Sequence, residues 1–247
     1  MNINNRWFQL CASLVAMVMI ANLQYSWTLF VEPMHAGTGW KLSDIQWAFT
    51  LFILFQTWVQ PAQGFLIDRM GPRLFTTIAG VLCGIGWTGL GLVTTLPMLY
   101  ALYVIAGIGA ALVYGGCMGS ALKWFTKQRG LAAGLIAAGF GGGTALFIPF
   151  IASMIKNSGY KSAFIYTGIF QGVVILIVAQ FLRHPAQPAQ TAAAAKAPDG
   201  ATSLRALPAL RQDQFTTGEM LRTPQFFVLY AAFVMMATGG LLVTANA

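Results

Sequence analysis

Long apolar runs separated by short polar stretches dominate the pattern of this chain. Each run is about 20 residues long, the length that a helix needs to cross a bilayer. Their Ala, Leu, Gly and Ile residues do not alternate with polar ones, as the strands of a membrane barrel would. The pattern predicts an all-α polytopic membrane protein. The predicted spans are Trp7–Val31, Ile45–Ile67, Leu74–Thr95, Met98–Leu122, Leu131–Ile155, Ala163–Leu182 and a last one from Pro224 onward.

One polar stretch is much longer than the others. Residues 184–223 are rich in Ala, Pro, Gln and Thr, a composition that buries too little apolar surface to fold. We therefore expect a six-helix transmembrane bundle over residues 1–183, a cytoplasmic linker over residues 184–223 and a seventh transmembrane helix over residues 224–247. Pro224 heads the last run, as proline often does at the first position of a helix.

Composition supports a membrane protein. Hydrophobic residues make up 57% of the chain and charged residues 8%, and the mean hydropathy is +0.68. A soluble domain has about 25% charged residues. The net charge of +8 does not indicate nucleic acid, because the basic residues are scattered among apolar runs and form no phosphate-binding patch. The expected partner is the lipid bilayer.

The distribution of Lys and Arg predicts the topology. With the spans above, eleven basic residues fall on one side and three on the other, and the richer side is expected to be cytoplasmic. The N-terminus is therefore predicted to lie in the cytoplasm. The richer side has Arg6, Arg69, Arg73, Lys123, Lys127, Arg129, Arg183, Lys196, Arg205, Arg211 and Arg222, and the other has Lys41, Lys156 and Lys161.

Nothing in the sequence indicates an enzyme. His35 and His184 are far apart and have no Asp, Glu or Cys at ligand spacing, so neither a metal site nor a catalytic triad is predicted. Cys11, Cys83 and Cys117 lie within apolar runs and are interpreted as small packing residues. We expect no cofactor and no metal. A seven-helix receptor or a retinal protein is disfavoured, because the predicted orientation is opposite and the last span has no Lys.

A charged loop joins the second and third spans. Gly64 is expected to allow a close helix approach, Gly71 and Pro72 to form a tight turn, and Asp68, Arg69 and Arg73 to lie at headgroup depth. The pattern Gly-x-x-x-Asp-Arg-x-Gly-x-Arg resembles the signature loop of the major facilitator superfamily. In that family the loop forms cytoplasmic contacts that hold the two halves of the transporter together and break as it turns inward. The alternative is ordinary interfacial charges.

The resemblance implies a larger fold. Major facilitators have twelve spans in two halves, each half built from two inverted three-helix repeats, and the substrate path lies between the halves. This chain is expected to contain the N-terminal half and the first helix of the second half. A complete path is then expected to require a C-terminal six-helix half that is missing here. Either the chain is truncated or the remaining spans are on another chain.

Four further segments are similar to the oxalate:formate antiporter family of bacteria. They are Asn5–Phe8, Gln24–Leu29, Lys123–Phe125 together with Arg129–Ala132, and Gly218–Phe226. The resemblance implies a bacterial inner-membrane transporter that exchanges oxalate for formate or a related carboxylate. It also implies that substrate is held partly by Gln24, Tyr25, Gln46 and Tyr114 of this half.

The chemistry of these four residues can be considered separately from the family. A buried amide or phenol within lipid needs a hydrogen-bond partner or a wet cavity. Each could instead bond to a neighbouring helix. Phe140 stands where the antiporters have Tyr, which favours a less polar carboxylate. Among transporters the alternative is a proton-coupled monocarboxylate-type facilitator, although no acidic residue falls at mid-membrane depth in the predicted spans.

Glycines recur in the fourth and fifth spans. Gly115-x-x-x-Gly119 and Gly139-x-x-x-Gly143 predict close helix packing. Tyr103 stands at the position where a second motif of the superfamily has Arg, so the cation of that motif is missing here.

Overall fold

The computed structural model describes residues 5–183, 185 and 222–246, and every regular element in these ranges is a helix. The chain divides into two compact units, residues 1–185 and 186–247. Helices α1 to α7 belong to the first unit and α8 to the second. They are α1 Arg6–Tyr25, α2 Trp27–Thr38, α3 Leu42–Trp58, α4 Gln60–Met70, α5 Pro72–Leu90, α6 Leu96–Trp124, α7 Arg129–Phe181 and α8 Pro224–Asn246.

The predicted helical membrane fold is confirmed. Within the described ranges, α1, α5, α6 and α7 are long and apolar enough to cross a membrane, and Pro224–Gly240 is a shorter apolar helix. The first predicted span is divided at Ser26 into α1 and α2, and the second is divided at Val59 into α3 and α4. The predicted start of the last helix at Pro224 agrees with α8. The linker predicted over residues 184–223 lies outside the described residues, apart from Pro185, Arg222 and Thr223.

The fifth and sixth predicted spans form α7, and the chain turns back within it. Gly159 has φ 80° and ψ 161°, a backbone conformation that a residue with a side chain rarely adopts. Phe150 and Phe170 line the same cavity, as do Met154 and Tyr166. These pairs are equally spaced about residue 160, so α7 is a hairpin of two antiparallel arms. A single glycine replaces the predicted loop between the two spans.

Glycines bring the helices of the first unit close together. A Cβ atom built on Gly143 of α7 would lie 2.9 Å from Val18 Cα of α1, and one on Gly109 of α6 would lie 2.6 Å from Cys83 N of α5. The close packing predicted for Gly139 and Gly143 is therefore confirmed. At Gly119 it is wrong, since no atom that the structure describes lies within 4 Å of such a Cβ.

Tyr103 contacts both sides of the interruption between α1 and α2. Its hydroxyl donates to the Leu23 carbonyl oxygen at 2.7 Å, and its ring stacks on Trp27 at 4.3 Å and on Phe52 at 4.5 Å. Tyr103, Trp27 and Phe52 are fully buried. The residue that takes the place of the family's Arg therefore provides a hydrogen bond to the backbone where the helix is interrupted.

Tyr103→Phe is expected to lower the free energy of unfolding of the chain by about 1 to 2 kcal/mol, because a buried carbonyl loses its donor while the ring packing remains. Thermal unfolding in detergent measures the effect. Tyr166→Phe is the matched control, since Tyr166 on α7 is 63% exposed. Equal shifts in the two variants would contradict a specific role for the Tyr103 hydroxyl.

Candidate substrate-binding site

Three aromatic side chains from three helices meet inside the first unit. The Phe140 ring of α7 lies 5.3 Å from the Tyr25 ring of α1 and 5.4 Å from the Tyr114 ring of α6, measured between ring centroids. All three side chains are half-buried. We call Tyr25, Tyr114 and Phe140 the aromatic triad. The structure thus brings together two of the four predicted substrate-binding residues. Between them lies Phe140, the position at which the antiporter family is expected to have Tyr.

The hydroxyl groups of the triad are available to a ligand. Among the residues that the structure describes, neither the Tyr25 nor the Tyr114 hydroxyl has a hydrogen-bond partner, although both side chains are half-buried. A phenol can donate to a carboxylate oxygen, and the positive edge of an aromatic ring also favours an anion. The triad therefore offers two donors on an apolar surface.

Gln24 immediately precedes Tyr25 at the end of α1. Its side chain is only 8% exposed, and no hydrogen bond joins its amide to any residue in the described part of the chain. An amide offers both donors and an acceptor. Since α1 ends at Tyr25, both residues lie at an interruption of a membrane helix, a feature typical of substrate sites in transporters.

Gln46 lies at a different depth from the triad. It is in the second turn of α3, close to Asp44, whose carbonyl oxygen accepts a hydrogen bond from the Tyr100 hydroxyl at 3.0 Å. Tyr100 is about 20 Å from Tyr114 along the axis of α6, at the rise of an α-helix. Gln46 and Tyr114 are therefore not brought together, and the role of Gln46 in binding stays a prediction.

Polar residues outside the predicted site are buried near the same interruption. Both polar atoms of the Asn22 amide and the hydroxyls of Ser26 and Thr144 are buried without a partner in the described ranges. Asn22 and Ser26 are four residues apart, so they share one face. An unsatisfied buried polar group costs about 1 to 3 kcal/mol. The only signal in the sequence was the spacing of Asn22 and Ser26 within an apolar run.

A cavity of about 610 Å³ lies between α1 and the two arms of α7. Its lining is apolar, apart from Tyr166 and Thr167, and it includes none of the four predicted site residues. The Thr167 hydroxyl is already engaged, since it donates to the Ala163 carbonyl oxygen and accepts from the Trp87 indole. The cavity is unsuited to a carboxylate. It is lined by Val18, Met19, Leu146, Phe147, Phe150, Met154, Tyr166, Thr167 and Phe170.

The predicted conformational loop is a one-residue turn. Gly71 joins α4 to α5 with φ 77°, and its N–H donates to the Ile67 carbonyl oxygen at 2.9 Å. Arg73 Nε donates to Gln180 Oε1 at the end of α7, at 2.8 Å, and Gln180 Nε2 donates to the Thr77 hydroxyl. Arg73 therefore links α5 to α7.

Arg69, Asp68 and Gly64 are the remaining residues of the predicted loop. Arg69 is exposed, and the Asp68 side chain lies outside the described part of the structure. The close approach expected at Gly64 is wrong for the described residues, because none has an atom within 4 Å of a Cβ built there. The contact occurs one residue earlier, where the Gln63 side chain occupies the space that a Cβ on Gly115 of α6 would take.

The sequence also matches a known protein family. A family profile described as Major Facilitator Superfamily matches residues 12–246. The chain belongs to the major facilitator superfamily. This confirms the resemblance seen in the Gly64 to Arg73 loop, and it agrees with the helical architecture.

Individual proteins are also similar to this chain. The oxalate:formate antiporter of Oxalobacter formigenes is 41% identical over 99% of this chain and 55% of its own length. An uncharacterised MFS-type transporter of Escherichia coli is 22% identical over 96% of this chain and 56% of its own. Human monocarboxylate transporter 11 is 29% identical over 51% of this chain and 27% of its own. The chain spans about half the length of the first two relatives.

Proposed function

We propose that the protein to which this chain contributes exchanges small carboxylates across the bacterial inner membrane by alternating access, with oxalate and formate as the first candidates. The observation that supports this most is the half-buried aromatic triad, with two phenol hydroxyls that make no hydrogen bond to a described residue. The 41% identity to an oxalate:formate antiporter supports the same class of substrate.

The triad and Gln24 would form one wall of the site. Two phenols and an amide can donate to the oxygens of a carboxylate, and Phe140 excludes water from one side. Neutral donors alone do not compensate the charge of a dicarboxylate in a low-dielectric site. We infer that the compensating cations come from a second six-helix half, which would close over the triad.

The topology follows the superfamily in this proposal. Residues 1–183 form the N-terminal bundle with the N-terminus in the cytoplasm, residues 184–223 form the linker, and residues 224–247 start the second bundle. Gly64, Asp68, Arg69, Gly71 and Arg73 form the conformational loop. The bond from Arg73 to Gln180 supports this role, because it joins the loop to the end of α7, directly before the linker.

A proton-coupled monocarboxylate transporter is the second candidate, and Phe140 favours it. The Phe140 ring presents no hydroxyl between Tyr25 and Tyr114, so one face of a substrate would meet carbon rather than a donor. A carboxylate with an apolar part fits such a surface better than oxalate does. The 29% identity to a monocarboxylate transporter agrees with this candidate over about half of the chain.

Exchange in liposomes distinguishes the two candidates. The proposed twelve-span protein is reconstituted with internal formate, and uptake of labelled oxalate is measured with and without a pH gradient. The antiporter proposal expects uptake that requires internal formate and does not require the gradient. Uptake of lactate driven by a proton gradient, with no oxalate exchange, would replace it with the second candidate.

A further inference from the structure

Four basic residues converge at one corner of the first unit. The Arg6 guanidinium lies 5.5 Å from the Phe125 ring, at the end of α6, and the Trp124 indole N–H donates to the Arg183 carbonyl oxygen at 2.9 Å. Lys127 and Arg129 lie in and just after the turn that follows Phe125. We call Arg6, Lys127, Arg129 and Arg183 the basic corner. All four side chains are exposed.

No acidic side chain that the structure describes lies at the basic corner. Glu32 is on α2 and Asp44 is in the first turn of α3, and the whole of α1 separates them from Arg6. The described part of the structure therefore gives these four cations no counter-charge. Such an arrangement favours binding of an anion.

Exposed aromatic surface continues inward from the basic corner. The Trp7 side chain is 44% exposed and its ring packs against Phe125 at 5.1 Å. Phe181 is 40% exposed, and its ring is 6.0 Å from that of Phe8. Indole rings favour the headgroup depth of a bilayer, and phenyl rings favour the acyl region below it. The order of cation, indole and phenyl matches the order of groups along a phospholipid.

The basic corner is held in place by a buried amide. Gln9 is 1% exposed; its Nε2 donates to the Phe181 carbonyl oxygen at 2.8 Å, and its Oε1 accepts from the Arg183 N–H at 3.0 Å. The end of α7 is thereby fastened to α1, while Trp124 fastens it to α6. The backbone of Arg183 is thus fixed to Gln9, three residues after Arg6 on α1, which lowers the entropy cost of binding a ligand there.

We propose that the basic corner binds the headgroup phosphate of an anionic phospholipid, such as phosphatidylglycerol, with an acyl chain along Phe8 and Phe181. A lipid is favoured over a soluble phosphate, because the exposed aromatic rings can contact an acyl chain and a soluble phosphate has none. Basic pockets between membrane helices are known to take anionic headgroups. The inference is independent of the transported substrate.

Quenching by brominated lipids tests the proposal on the 247-residue chain in vesicles. Equal mixtures of phosphatidylglycerol and phosphatidylcholine are used, with bromine on one lipid or on the other. Quenching of Trp7 is obtained as the difference between the unmodified chain and Trp7→Phe. We expect brominated phosphatidylglycerol to quench Trp7 more than brominated phosphatidylcholine does, and salt to remove the preference.

Charge variants provide the controls. Arg6→Gln with Arg183→Gln is expected to reduce the preference for phosphatidylglycerol on the order of tenfold. Arg6→Lys with Arg183→Lys keeps the charges and retains the preference, which separates lost charge from lost folding. Lys156→Gln with Lys161→Gln, beside Gly159, leaves it unchanged. Equal quenching of Trp7 by both brominated lipids would overturn the proposal. So would an equal loss of the preference in Lys156→Gln with Lys161→Gln, or a loss of the preference when soluble glycerol phosphate is added.

Discussion

Gly86→Ala is expected to lower the free energy of unfolding of the chain by about 3 kcal/mol, the upper part of the usual range for overpacking. A Cβ on Gly86 of α5 would lie 2.5 Å from Ala106 N and 2.8 Å from Ala106 Cα on α6. These are backbone atoms, so no side chain can move aside and the two helices must separate. The yield of folded protein in detergent and its thermal unfolding temperature measure the loss.

Gly141→Ala is the matched control. No described atom lies within 4 Å of a Cβ on Gly141, which is within α7. Alanine has a higher helix propensity than glycine by about 1 kcal/mol, so this variant is expected to be as stable as the unmodified chain or more so. Equal losses in the two variants would show that the contact between α5 and α6 is looser than the structure has it.

If the proposed twelve-span transporter forms, Tyr25→Phe and Gln24→Leu are each expected to weaken its carboxylate exchange by roughly 10-fold to 100-fold. A hydrogen bond to a charged group is worth about 1.5 to 3 kcal/mol, which corresponds to that range. Tyr25→Phe keeps the ring contact with Phe140 and removes only the hydroxyl. The measurement is the half-saturating concentration and the initial rate of labelled oxalate uptake against internal formate.

Tyr166→Phe controls for the loss of a phenol as such. Tyr166 is exposed on α7 and lines the apolar cavity, away from the aromatic triad. Exchange is expected to be unchanged in this variant. If Tyr25→Phe and Gln24→Leu also exchanged oxalate normally, the triad would be a packing cluster and the substrate wall would have to be formed by other residues.

The sequence predicted the helical spans well because the bilayer sets their length and polarity. It placed the last helix correctly at Pro224, and it gave the first and second spans as single segments. The structure divides these at Ser26 and Val59, since buried tertiary contacts can satisfy the backbone groups that an interruption frees. At Ser26 the Tyr103 hydroxyl does so. Tyr103 is 80 residues from Leu23 in the chain, and no local pattern indicates that pairing.

The loop shows how far residue types alone determine a contact. Gly71 was correctly assigned to a tight turn, because the positive φ of that turn is a local property of the backbone. Gly64 was assigned to a close helix approach that the described residues do not make. Close approach depends on which helix lies opposite, and here Gln63 faces Gly115 instead.

By itself the sequence determined that this is a helical membrane protein of the major facilitator superfamily, because span length, low charge and the Gly64 to Arg73 pattern are local features. Only the tertiary structure decided that Tyr25 and Tyr114 meet on Phe140, that Gln46 lies at another depth, and that Arg6 joins Arg183 in the basic corner. Each depends on helix rotation and on which helices are neighbours. Packing of side chains between distant segments fixes both.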